Sequence, residues 1–234
     1  MELFKKIVFA IMLTVTMVCA AGCKKANIPD SGTYNGHEFV NLGLPSGTMW
    51  ATCNVGADTP GEHGDHFAWG ETQPKAAYTD SNYLYTHGGY FEFTKYCTKP
   101  EYGYNGFTDN LKTLEPSDDA ATVNWGEGWR TPTINEWIEL VTKCSHSFTT
   151  INGVNVCVFT GRNGNSIALP VRGRIGDDKS TIEDDIGNYW SSSLNTGLPF
   201  YAKGFQFIVD NDCDIYNDFS RCAGYSVRPV HDFK

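Results

Sequence analysis

After its first 22 residues, this 234-residue chain holds no apolar run of the roughly 20 residues that a membrane-spanning helix needs. It also lacks any cluster of Lys or Arg. With 18 basic against 27 acidic residues, the net charge is −9 and the pI is near 5.1. A surface of that sign repels phosphate backbones, so nucleic acid is not an expected partner. No two cysteines stand at Cys-x-x-Cys spacing, which removes the redox dithiol and the zinc knuckle. A Ser-His-Asp signature, a phosphate loop and a dinucleotide fingerprint are absent too. Long helical patterns are scarce, and there is no internal repeat or low-complexity tract. Against these absences stand 14% aromatic residues and 24 glycines, a composition that favours a loop-rich, β-containing fold over a helix bundle.

The N-terminus reads as an address. Lys5 and Lys6 precede an apolar stretch over 7–21 that ends in Ala20-Ala21-Gly22, directly before Cys23. That order is the layout of a secretory signal. Its ending resembles the bacterial lipobox, in which the cysteine is acylated and becomes the new N-terminus. Ala20 stands where leucine is usual, so an ordinary signal peptide is the alternative. Residues 1–22 are expected to be removed, 23–34 to form a lipidated tether and 35–234 to fold as one domain. Cys19 leaves with the signal. Cys53, Cys97, Cys144, Cys157, Cys213 and Cys222 then meet an oxidising compartment, as structural bridges or as buried free thiols.

Asn35-Gly36 is a tight-turn dipeptide, followed by an alternating strand over 37–42 and a second strand over 48–53. The stretch 56–110 is irregular, yet too aromatic to stay unfolded, so packed surface loops are expected. Thr133 and Glu136 form a capping box, and Trp137, Leu140, Val141 and Cys144 follow with helical spacing. A shorter helix over 117–124, capped by Ser117, is also expected. Asn152-Gly153 and Asn163-Gly164 flank a strand over 154–160, and another follows at 166–169. Phe205, Phe207 and Val209 alternate with polar or outward positions, and a last strand covers 225–230. The sum is an α+β domain with two short helices and an antiparallel β-meander.

Three patterns could carry chemistry. Glu62, His63, Asp65 and His66 offer zinc ligands, but the spacing suits a helix whereas Gly61 and Gly64 argue for a loop. Asp210, Asp212 and Asp214 alternate like calcium ligands, although Ile215 and Arg221 stand where an EF-hand has Gly and Glu. A solvated acidic loop without a bound cofactor is expected there, with calcium as the alternative. Cys213 and Cys222 sit among acids that raise a thiol pKa, so a disulfide across a loop or a free thiol fits better than a nucleophile. The late segment 195–220 is different in kind. Asn195, Tyr201, Asp210, Asn211, Asp212, Asp214, Tyr216, Asn217, Asp218, Phe219 and Ser220 mix rigid aromatics with small polar groups, as a paratope does. That segment is the candidate ligand face; solvated loops joining strands are the alternative.

Several strings resemble one family. They include Leu44-Pro45-Ser46-Gly47-Thr48-Met49-Trp50-Ala51, Phe67-Ala68-Trp69-Gly70-Glu71-Thr72, Gly128-Trp129-Arg130-Thr131-Pro132-Thr133, Tyr189-Trp190-Ser191-Ser192-Ser193 and Gly224-Tyr225-Ser226-Val227-Arg228-Pro229-Val230. In that order, over about residues 36–230, they are similar to the FISUMP (major paralogous domain) family of exported bacterial proteins. The resemblance implies a C-type-lectin-like fold, distantly similar to formylglycine-generating enzymes and to retroelement-diversified variable proteins, whose late segment forms the ligand face. In the family an aromatic commonly fills the slot of His66, so its ring is expected to pack. The Glu-Pro-Asn and Gln-Pro-Asp tripeptides of calcium-dependent sugar-binding lectins are missing. Trp50, Trp69, Trp129 and Trp190 are expected to anchor the core, and Arg130 and Arg228 to pair with carboxylates. The resulting expectation is a non-enzymatic lipoprotein held to the outer membrane by a lipid anchor, facing the periplasm or the outside, that binds a protein or glycan. The alternatives are an exported enzyme or enzyme accessory with the formylglycine-generating fold, and a structural envelope or pilus component.

Overall fold

Asn35 and Gly36 both take positive φ, 46° and 82°, as a two-residue hairpin turn requires. They join β1 (Ser31–Tyr34) to β2 (His37–Asn41). The computed structural model describes residues 29–89, 91–175, 185–209 and 213–232, with the backbone alone at 213–217. Its first strand therefore corrects the tether reading of 23–34, which overran by four residues. The Asn-Gly signal marks the middle of a hairpin, not the start of a domain.

Three sheets follow. In the first, β2 pairs with β3 (Met49–Ala51), and β13 (Val230–His231) lies between β3 and β5 (Trp129–Arg130). The second runs in the order β11 (Cys213–Ser220), β10 (Tyr201–Ile208), β9 (Ile186–Leu194), β12 (Tyr225–Ser226) and β4 (His66–Phe67). The third is β6 (Ser145–Ile151), β7 (Val154–Thr160) and β8 (Ser166–Pro170), with the two-residue Asn152-Gly153 turn where the sequence places it. Pairings between these strands are antiparallel except β12 with β9. With α1 (Ala120–Trp125) and α2 (Ile134–Lys143), the described residues form the expected α+β domain.

The expected last strand over 225–230 is two strands in different sheets. Pro229 cannot donate to a ladder, and the chain crosses at 227–229 from the second sheet to the first. The crossing is stitched by Val55 N to Val227 O and Ala51 N to Pro229 O, each at 3.0 Å. Arg228, fully buried, sits in this crossing. Among the described residues it meets no carboxylate, which corrects the pairing expected from sequence; it donates to Asn54 Oδ1 (2.8 Å) and to the carbonyls of Ala51, Thr52 and Ala168 (2.7–2.9 Å). Carbonyls left over where a chain changes sheets need donors, and the guanidinium supplies several at once. Arg130 does find carboxylates, at Glu136 (2.7 Å) and Asp232 (2.8 Å).

Thr133 and Glu136 form the capping box of α2, whose Trp137 and Leu140 are fully buried. The Trp137 ring lies 4.8 Å from Trp50 and stacks at 4.7 Å on Phe205. Helix α1 departs from expectation. Ser117 lies in a preceding 3-10 turn, and the cap is Asp119. Its buried carboxylate accepts Ala121 N and Thr122 N at the helix start, and also Thr131 N (2.9 Å) and Thr131 Oγ1 (2.8 Å). Asp119→Ala would orphan these donors away from water, and is expected to cost about 3 kcal/mol, read as a lowered urea midpoint at unchanged slope. A loss under about 1 kcal/mol would mean that water takes the carboxylate's place.

The four tryptophans expected as anchors are at most 1% exposed. Cys53, Cys97, Cys144, Cys157 and Cys222 form no disulfide with one another. The disulfide considered between Cys213 and Cys222 is ruled out by β11. Seven extended steps from Cys213 to Ser220 cover about 23 Å, whereas a disulfide holds its Cα atoms within about 7 Å.

Candidate functional site

Within the segment 195–220, β10 and β11 are paired antiparallel strands with one face in the core rather than a set of loops. Phe219 is 6% exposed, stacked at 4.4 Å on Tyr225 and 5.7 Å from Trp190. Its ring covers Gly204, where any Cβ would lie 2.3 Å from it. Phe219 is therefore a core residue, which corrects its place in the candidate face. Asn195 is spent locally, its Oδ1 accepting Gly197 N (3.0 Å) and Leu198 N (3.1 Å). Because Phe219 points inward, strand alternation turns Asp218 and Ser220 outward. Asp218 is exposed and pairs with Lys203 across the strands at 2.6 Å. Tyr201 is half-buried, opposite Ser220 in the ladder. For Asp214, Tyr216 and Asn217 only the strand backbone is described, and Asp210, Asn211 and Asp212 lie outside the described residues, as does Cys23.

What joins Tyr201 on the surface comes from a segment about a hundred residues earlier. The Phe200 ring lies 4.3 Å from Tyr201, 5.3 Å from Phe91 and 5.3 Å from Tyr102, and Phe91 lies 5.2 Å from Tyr102. Beside them His87 stacks on Tyr104 at 3.8 Å. The chain between Thr86 and Tyr104 is shaped by short bridges, Thr86 to Phe93 and Phe93 to Gly103. Thr98 Oγ1 ties it to the late segment by donating to Thr196 O (2.8 Å).

Beneath this surface lies Arg221, 1% exposed. It donates to Lys95 O (3.0 Å) and Tyr96 O (3.1 Å) of the early loop, and to Pro199 O (2.9 Å) of the late one. Its Nε donates to the Tyr83 hydroxyl (3.0 Å). The guanidinium carbon lies 4.4 Å from the Phe93 ring centre and 5.1 Å from that of Trp69, within the range of a cation–π contact. One buried cation thus pins both loops to the core. Neither Arg221 nor the early loop stood out from sequence as part of the site. The usable signal was the aromatic density of 83–107, read only as packing.

A second concavity, of about 640 Å³, is lined by Tyr34, Glu127, Trp129, Arg130, His231 and Asp232, among others. Its guanidinium is already held by Glu136 and Asp232, and Tyr34 stacks on His231 at 4.2 Å.

The zinc candidate is dispersed. His66 is buried with Nε2 3.4 Å from Gly173 O, while Glu62 accepts the backbone N–H groups of Asp58 and Thr59. Among the described residues, no three His, Cys, Asp or Glu side chains converge as a metal site needs. Burial, with Asp80 adding to it, pushes the Cys222 thiol up to about 12, and burial with Glu139 pushes Cys144 up to about 11. Both thiols stay protonated near neutral pH, the opposite of an activated nucleophile. The chain was also compared with protein-family models, curated proteins and solved structures, and none of the three comparisons finds a match.

Proposed function

We propose that the protein is a lipid-anchored module of the bacterial cell envelope, attached through Cys23, that binds a protein or glycan on the face where segments 84–107 and 195–203 meet. One observation carries this reading. Of the five exposed large apolar residues among the described ones, four (Leu84, Phe91, Phe107 and Leu198) fall in these two segments. Exposed apolar side chains gathered in one region and rimmed by polar groups are the usual mark of a binding surface. The half-exposed rings of Tyr102, Phe200 and Tyr201 supply contact area at low entropic cost. The polar rim includes the Lys203–Asp218 pair, whose charges already neutralise each other, so a ligand need bring no charge of its own. Membership of the FISUMP family and a C-type-lectin-like topology belong to the same proposal, on the strength of the strings quoted above.

The test uses the full-length protein and its Phe91→Ala/Tyr201→Ala variant on glycan and protein arrays, with and without calcium. Truncating two central aromatic contacts is expected to weaken binding at least about tenfold while moving the melting temperature by no more than about 3 °C. Equal binding by both proteins would move the site elsewhere. Binding that depends on calcium would shift it towards Asp210, Asp212 and Asp214.

A further inference from the structure

β6 is an edge strand without the usual defences. Edges are normally blunted by charge, proline, a bulge or shortness. The outer edge of the second sheet follows that rule, because β11 carries Asp214 and Asp218 and its ladder shifts register between Gly204 and Gln206. On the far side of the third sheet, β8 ends in Pro170. β1 is four residues long, and β4 and β5 are two each. β6 spans seven residues, Ser-His-Ser-Phe-Thr-Thr-Ile, of which five are exposed. It holds no acid, lysine, arginine or proline, and its register with β7 is unbroken from Ser145–Thr160 to Ile151–Val154.

The turn fixes which backbone groups are open. Asn152 and Gly153 have φ of 50° and 82°, so this is a two-residue hairpin whose closing pair, Ile151–Val154, is hydrogen-bonded. Bonded pairs then recur every second residue, at Thr149, Ser147 and Ser145. The N–H and C=O groups of His146, Phe148 and Thr150 therefore point away from β7. None of them makes a backbone hydrogen bond to another described residue outside the ladder.

We infer that β6 pairs antiparallel with β6 of a second copy, Phe148 opposite Phe148, extending the three-stranded sheet across a two-fold axis. In that register His146 faces Thr150 of the second copy, and Ser147 faces its Thr149. The outward donors and acceptors of the three residues match one for one, as a two-fold contact demands. The self-matching of His146, Phe148 and Thr150, on a strand without acid, lysine or arginine, argues for a second copy as the occupant. The chain carries −9, so two copies repel over most of their surface, and like charges directly opposed across strands destabilise pairing. A seam of neutral residues is where self-pairing meets no such penalty. A pair would also present two ligand faces.

The test is the mass of the full-length protein in mild detergent at about 50 µM, where a micromolar Kd leaves most chains paired. The wild type is expected to be a dimer. Ser147→Lys/Thr149→Lys places lysine opposite lysine twice and is expected to be monomeric. Ser147→Lys/Thr149→Glu places lysine opposite glutamate and is expected to restore the dimer. Thr150→Pro removes one outward N–H and no bond to β7, so it weakens the dimer while the melting curve stays that of a folded chain. A monomeric wild type overturns the inference, and so does a double-lysine variant that stays dimeric.

Discussion

Replacing Arg221 with methionine is expected to lower the unfolding free energy by about 4 kcal/mol and, in a domain of this size, the melting temperature by roughly 10 °C. Methionine fills much of the same volume, so the loss does not come from a cavity. It comes from the acceptors left behind: the carbonyls of Lys95, Tyr96 and Pro199 and the Tyr83 hydroxyl. Each buried carbonyl without a donor costs about 1–3 kcal/mol. Removing a desolvated charge returns part of that sum, which is why the net is smaller than the total. Arg221→Lys is expected to recover less than half. An ammonium has no planar fork to span both loops, and it lacks the flat, weakly hydrated surface that suits a guanidinium to aromatic neighbours. Because the donors reach both segments of the proposed face, Arg221→Met should also abolish binding below its melting temperature. A variant melting within about 3 °C of wild type would mean that water satisfies the carbonyls and that the guanidinium is dispensable.

The same residue shows where a sequence stops being informative. Features set by a few neighbouring residues are legible. Asn152-Gly153 specifies its turn, Thr133 and Glu136 their cap, and the alternation of Phe205 with Phe207 a half-buried strand, all through local backbone chemistry. Alternation would also have placed Phe219 inside, opposite in sense to Asp218. Composition alone grouped the two together as ligand contacts, and composition has no direction. Contacts between distant segments leave no such signature. Arg221 meets Lys95 across 126 positions, Phe91 meets Phe200, and the strand change at Pro229 depends on β3. The Ser117 cap failed for a subtler reason. Ser117 and Asp119 are both good caps, and what selects Asp119 is Thr131, whose amide and hydroxyl bind the same carboxylate.

Stability should fall as the pH drops from about 6.5 to 4, and His66 is the residue responsible for much of that fall. The imidazole is 4% exposed. Burial, reinforced by the positive charge of nearby Arg172 and only partly opposed by the Gly173 carbonyl, lowers its pKa from 6.5 to about 4. Below 6.5 the unfolded chain takes up a proton that the folded chain refuses, so unfolding gains free energy with each step towards acid. The effect ceases once the folded state also protonates, near 4. A gap of that size is worth about 2.5 kcal/mol by pH 4.5. The carboxylates of Asp118 and Glu136, which Lys95 and Arg130 hold below their usual range despite burial, lose their contributions only at lower pH still. His66→Phe keeps the buried ring and removes the proton site. Urea midpoints of both proteins at pH 7 and 4.5 therefore give the result directly: the wild type should lose about 2.5 kcal/mol more than the variant. Parallel losses would show that His66 is protonated in the folded state. The consequence reaches the proposed face, because His66 lies in β4, paired with Ser226. Three residues on, Trp69 N donates to Arg221 O at 2.9 Å. Acid that strains β4 strains the support of Arg221, so any loss of binding on acidification should track the loss of stability and disappear in His66→Phe.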